Sequence, residues 1–152
     1  MTDCTLKQQL QSDMKASMKS ADKSRLAVIR LMLSAIKQIE VDERIELDDA
    51  RVTAVLDKMV KQRRESIAQF EKAGRDDLIA IEQSELELIQ QYLPAALSES
   101  EVTQMIADAI SQTGASEIKQ MGQVMGILKP KLTGRADMGQ VSQQIKKMLN
   151  AN

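Results

Sequence analysis

The sequence predicts an all-α protein, with an N-terminal bundle of about four helices followed by a smaller three-helix C-terminal domain. Three observations lead there. Phe70 and Tyr92 are the only aromatic residues and tryptophan is absent, so a core must be assembled from Leu, Ile, Val, Met and Ala, which favours helix over sheet. Apolar residues recur three and four apart through most of the chain. No stretch alternates convincingly with a period of two.

The elements follow in order. A first helix is expected from Thr2 or Asp3 to Ser20, with Leu6, Leu10, Met14 and Met18 on one face. Asp22 caps a second helix, whose stripe runs through Leu26, Ile29, Leu33, Ile36 and Ile39 or Glu40. Val28, Leu31 and Met32 widen that stripe and make it the central helix of the bundle. After a short connector, Arg44 to Leu47, Asp48 caps a third helix that ends at Ala73 before Gly74. Its core face is Val52, Val55, Leu56, Met59, Val60, Ile67 and Phe70. Arg63 falls on that face, where partial burial demands a carboxylate; Glu82, Glu85 or Glu87 of the next helix can supply one, and Arg63–Glu85 is the expected ion pair. The fourth helix starts at Asp76 or Asp77, carries Leu78, Ile81, Leu86, Ile89 and Leu93, and stops before Pro94.

A domain boundary is expected there, giving domains 1–94 and 95–152. Ser98 and Glu101 form a capping-box pattern ahead of a fifth helix carrying Val102, Ile106, Ala109 and Ile110. The sixth helix, about 116–128, places Ile118, Met121, Met125 and Leu128 on one stripe and Gly122 with Gly126 on another face. Two glycines cost a helix interior about 1 kcal/mol each against alanine, so close approach of another backbone or a bulky group is expected there. Pro130 should end the helix. Asp137 then caps a seventh helix with Gln140 at the capping-box position and Val141, Ile145, Met148 and Leu149 inward. Lys129, Lys131 and Arg135 precede the unpaired N–H groups of that helix, an arrangement that suits an anion, although Asp137 competes for the same groups.

Composition bounds the chemistry. The formal net charge is −1, so no global field drives the chain onto nucleic acid or membrane, yet the segment from Glu117 onward carries a net +4. Histidine is absent and Cys4 is the lone cysteine, which excludes Ser/His and Cys/His catalysis, a disulfide framework and a thiolate metal site. No metal site and no cofactor are expected. With no secretory leader or long apolar run, a cytoplasmic location without membrane contact is expected.

Several stretches together resemble the GatB/YqeY family. They are Leu26-Ala27-Val28-Ile29-Arg30-Leu31-Met32-Leu33-Ser34-Ala35-Ile36-Lys37, Lys61-Gln62-Arg63-Arg64-Glu65-Ser66 and Ala73-Gly74-Arg75-Asp76-Asp77-Leu78, then Tyr92-Leu93-Pro94, Met121-Gly122-Gln123-Val124-Met125-Gly126 and Lys131-Leu132-Thr133-Gly134-Arg135-Ala136-Asp137. The resemblance implies a C-terminal domain similar to the tail of GatB, a component of the glutamine-dependent aspartyl/glutamyl-tRNA amidotransferase. What it carries over is tRNA contact, mapped onto Gly122, Gly126, Lys129, Lys131, Gly134 and Arg135. A carbon–nitrogen ligase association follows by homology only, because the chain has no Ser-Ser-Lys amidase signature and is not expected to be an enzyme by itself. The expected partners are therefore tRNA or, alternatively, an amidotransferase or other helical protein docking on the glycine face. Met138 departs from the glycine that family members often place after Gly-Arg-Ala-Asp, and should narrow the approach to the last helix.

Overall fold

The computed structural model describes residues 5–150, and all regular structure among them is helical. The helices are α1 (Thr5–Lys19), α2 (Lys23–Glu43), α3 (Asp49–Ala73), α4 (Asp76–Gln90), α5 (Glu99–Thr113), α6 (Met121–Leu132) and α7 (Met138–Asn150), with a 3-10 turn at Ile118–Gln120 before α6. The expected start of the first helix at Thr2 or Asp3 and the lone Cys4 lie outside the described residues. The chain divides into two compact units, Met1–Leu93 and Pro94–Asn152.

In the first unit α1 pairs with α2 and α3 with α4. Leu10, Ile29, Met32, Ile36, Leu56 and Ile89 fill the centre, and Leu47 joins them fully buried although its sequence context reads as connector. The chain reverses between α3 and α4 at Gly74 (φ 68°), whose left-handed backbone lets its N–H reach the carbonyls of Phe70 and Glu71. Two comparable turns use non-glycine residues, Ala21 (φ 57°) and Arg44 (φ 56°). Asp22 and Asp48 cap as expected, accepting from Arg25 N–H at 3.1 Å and Arg51 N–H at 2.8 Å. Three residues assigned inward by spacing, Met18, Leu31 and Ile81, are instead about half exposed. The inward arc is narrower than the apolar run, and the surplus residues remain on the surface.

The second unit packs α5, α6 and α7 around Ile106, Val124, Leu128, Leu132, Val141, Ile145 and Leu149. Ser98 and Glu101 form the reciprocal capping box, with Glu101 N–H to Ser98 Oγ at 3.2 Å and Ser98 N–H to Glu101 Oε2 at 2.8 Å. The sixth helix differs from its expected form. It begins at Met121, its buried line is Val124, Leu128 and Leu132, and Ile118 is exposed. Residues four apart along that line point one way, leaving Met121 and Met125 half-buried on its flank. Nor does Pro130 end it. The residue lies in the last turn, where only the bond to Gly126 is forfeited, and Thr133 closes the helix by donating N–H and Oγ1 to the carbonyl of Lys129 at 3.1 and 2.6 Å.

Candidate functional site

The residues assigned to a ligand contact occupy α6 and the turn into α7. Gly122 and Gly126 are exposed on α6, and a Cβ built on either meets no atom within 4 Å. The close approach expected at these glycines is therefore not made within the chain; they leave a strip of bare backbone facing outward. Lys129 and Lys131 are exposed and make no ion pair among the described residues. Lys131 also lines a groove of about 70 Å³ between α5 and α6, with Met105, Asp108 and Ile127.

Gly134 and Arg135 are committed to the turn itself. Gly134 adopts φ 79°, a left-handed conformation that side chains rarely take. Arg135 N–H donates to Leu132 O at 2.9 Å, while Leu97 N–H donates to Arg135 O at 2.9 Å. The Arg135 guanidinium Nε reaches Ala95 O at 3.4 Å. The turn is thus clasped to the segment leading into α5. The Glu101 carboxyl is held below its usual range chiefly by the Ser98 N–H and hydroxyl, with a smaller contribution from the Arg135 charge.

At the start of α7, Asp137 Oδ1 accepts from Gly139 N–H at 2.8 Å and Gln140 N–H at 3.4 Å. The helix start therefore already holds a carboxylate, and the anion site suggested there by spacing is filled by the chain's own cap. Met138 is half-buried and packs against the second unit's core.

In the first unit Arg63 Nε meets Glu85 Oε2 at 3.1 Å, and Nη1 lies 3.4 Å from Met59 O. With the Arg63 side chain 12% exposed, the pair serves packing between α3 and α4. Two further polar links escaped the sequence. Glu40 is buried and accepts from Lys7 Nζ at 2.7 and 2.9 Å and from Leu47 N–H at 3.1 Å. Tyr92 O–H donates to Asp13 Oδ2 at 2.6 Å, with Arg25 Nη2 3.8 Å from the same oxygen. The available signals were a glutamate continuing the Ile36 line at i+4 and the single tyrosine at a helix end. Among the described residues no group of three or more His, Cys, Asp or Glu is placed to hold a metal, and no helix is long and apolar enough to cross a membrane.

Comparison with known proteins adds the lineage. A family model described as Yqey-like protein matches residues 7–149. Three similar proteins are each named altered inheritance of mitochondria protein 41, mitochondrial. The Pyrenophora tritici-repentis protein is 31% identical over 147 residues, covering 93% of this chain and 80% of the relative. The Kluyveromyces lactis protein is 34% identical over 119 residues, covering 74% and 64%. The Eremothecium gossypii protein is 44% identical over 87 residues, covering 57% of this chain and about half, 48%, of the relative's length. These names overturn the expected cytoplasmic location. That expectation rested on a missing apolar leader, which bears on secretion across a membrane and does not distinguish the remaining compartments.

Proposed function

The chain belongs to the YqeY-like protein family, and from that premise we propose that it is a tRNA-binding accessory protein without catalysis of its own. The observation that carries the reading is the outward strip of α6, where Gly122 and Gly126 expose backbone on the same face as Lys129, while Lys131 stands on the side of α6 toward the α5 groove; neither lysine makes an ion pair among the described residues. Bare backbone lets a sugar–phosphate chain come close, and the Lys129 ammonium on the same face meets its phosphates without reading sequence, with Lys131 adding positive charge from the neighbouring side. The resemblance to the GatB tail of the amidotransferase supports the same choice of ligand. Arg135 and Gly134 belong to this reading as residues that hold the turn, since their geometry is spent on Ala95, Leu97 and the left-handed bend. Few cations and no aromatic stacking platform make the contact weak and steeply salt-dependent.

The test is a titration of the protein with bulk uncharged tRNA at two salt concentrations, alongside Lys129→Glu/Lys131→Glu. Binding that falls with salt and is lost in the folded variant supports the reading; no binding by the wild type near physiological salt sinks it. A second reading, a protein helix docking on the same strip, is favoured by Ile118, which is 44% exposed just ahead of α6. Charge reversal separates the two: Lys129→Glu/Lys131→Glu removes RNA binding, whereas an apolar helix docked on the glycine strip keeps its contact.

A further inference from the structure

We propose that the outward face of α2 is a docking seam for an amphipathic helix of a protein partner, one that carries aspartate or glutamate along its flank. The observation is a pattern in the resemblance-bearing stretch of α2 that the RNA reading leaves unused. Ala27, Leu31, Ser34, Gln38 and Val41 follow one another at spacings of four and three, the repeat of a helix that packs against another helix. This row lies on the opposite side of α2 from the buried Ile29, Met32, Ile36 and Glu40. Leu31 is 47% exposed, Val41 59% and Ile45, just past the helix end, 42%. Small Ala27 and Ser34 between the larger residues leave room for a partner's side chains.

Beside the seam runs a line of cations on α2, Lys23, Arg30 and Lys37, seven residues apart in sequence, with Arg44 at the left-handed residue just past the helix end. Along a helix that spacing is roughly 10 Å, so the line follows the seam for most of its length. All four are exposed and none makes an ion pair or side-chain hydrogen bond among the described residues. The Lys37 charge is the smallest influence on Glu40, whose carboxylate is already taken by Lys7.

The charges choose the occupant. In an antiparallel pair of α2 copies the cationic flanks would face each other, and in a parallel pair Arg30 and Lys37 would meet the opposite flank, where Ser24 and Ala35 stand and only Asp42 is acidic. A nucleic acid would answer the cations but leave Leu31, Val41 and Ile45 uncovered. A lipid surface would ask for a broad apolar face, whereas Ser34 and Gln38 interrupt a narrow one. An acid-flanked helix meets both features at once, the apolar seam by packing and the flank by opposite charge.

The experiment uses two synthetic helical peptides with leucine at the seam positions, one flanked by glutamate and one by lysine, titrated into isotopically labelled full-length protein. The expected result is perturbation of Leu31, Ser34 and Val41 by the glutamate peptide alone. Lys23→Glu/Arg30→Glu/Lys37→Glu should weaken it about tenfold or more and admit the lysine peptide instead. Leu31→Asp/Val41→Asp, both at exposed positions, should abolish binding while helicity is kept, and Lys129→Glu/Lys131→Glu should bind the peptide as wild type does, which separates this surface from the RNA reading. The proposal is overturned if neither peptide perturbs the seam, if both bind wild type equally, or if Leu31→Asp/Val41→Asp still binds. It is equally overturned if tRNA or anionic vesicles perturb Leu31 and Val41 where the glutamate peptide does not.

Discussion

Lys7 Nζ donates to both carboxylate oxygens of Glu40, at 2.7 and 2.9 Å, and so ties α1 to the buried side of α2. Glu40 Oε1 also takes the N–H of Leu47, which secures the connector that carries this core residue. Truncation strands both donors: Glu40→Ala should cost about 2–3 kcal/mol, read as a lower urea midpoint with unchanged slope. Lys7 holds the Glu40 carboxyl below its usual value, against the opposing effect of burial. A depressed carboxylate lends stability above its unfolded value near 4.5, and that stability drains away as pH falls through the lower folded value. Glu40→Gln should therefore flatten the acid limb of the stability curve; an unchanged limb would show that the link carries no such weight.

Tyr92 offers a cleaner titration, because it is the sole tyrosine and no tryptophan obscures it. Burial first, and then the Asp13 carboxylate that accepts its proton, push the phenol above 10. The absorbance of tyrosinate should accordingly appear at higher pH in the folded protein than in urea. A group raised in this way stabilises the fold below its unfolded value and loses that contribution as pH climbs through the folded one. Tyr92→Phe should remove this alkaline dependence and cost about 1 kcal/mol at neutral pH.

Ala21 makes its turn at φ 57° with a side chain that the left-handed region penalises. Ala21→Gly should raise stability by about 0.5–1 kcal/mol, visible as a higher denaturant midpoint. The mirror experiment, Gly74→Ala at φ 68°, should lower it by a similar amount. A destabilised Ala21→Gly would mean that the observed turn is not the one the protein uses.

Gly122→Ala and Gly126→Ala test the outward strip of α6 from the other direction. A Cβ there meets nothing, so each substitution should add about 0.5–1 kcal/mol of stability by helix preference alone. If tRNA binding weakens while the melting temperature rises, bare backbone is the contact. Binding that survives both changes would remove the glycines from the contact and leave only the lysines.

The helices were legible because Leu10, Ile36, Leu56, Ile106 and Ile145 each sit at the centre of a 3.6-residue stripe, and Asp22, Asp48 and Ser98 announce starts that a side-chain cap requires. Stripe edges were harder. Leu31 has the same chemistry as Met32, and only the packing of neighbouring helices decides which is covered. Pro130 misled because one lost hydrogen bond is tolerable in a last turn. The candidate site was legible as a cluster of residues, but their roles were not. Among the described residues Lys129 and Lys131 make no ion pair, whereas Arg135 is drawn to Ala95 across 40 positions of sequence that local spacing does not reach.

Five methionines stand on the rim of the second unit's core, among Leu97, Ile110, Ile127 and Ala136. Met105, Met121, Met125, Met138 and Met148 are all partly buried there, in a unit that contains no aromatic ring to cover the same area. Thioethers fill irregular gaps well, but peroxide turns each into a polar sulfoxide that no longer belongs against Val124, Leu128 and Ile145. An oxidising burst would consequently loosen this unit from its rim inward, and repair would depend on enzymes that reduce methionine sulfoxide.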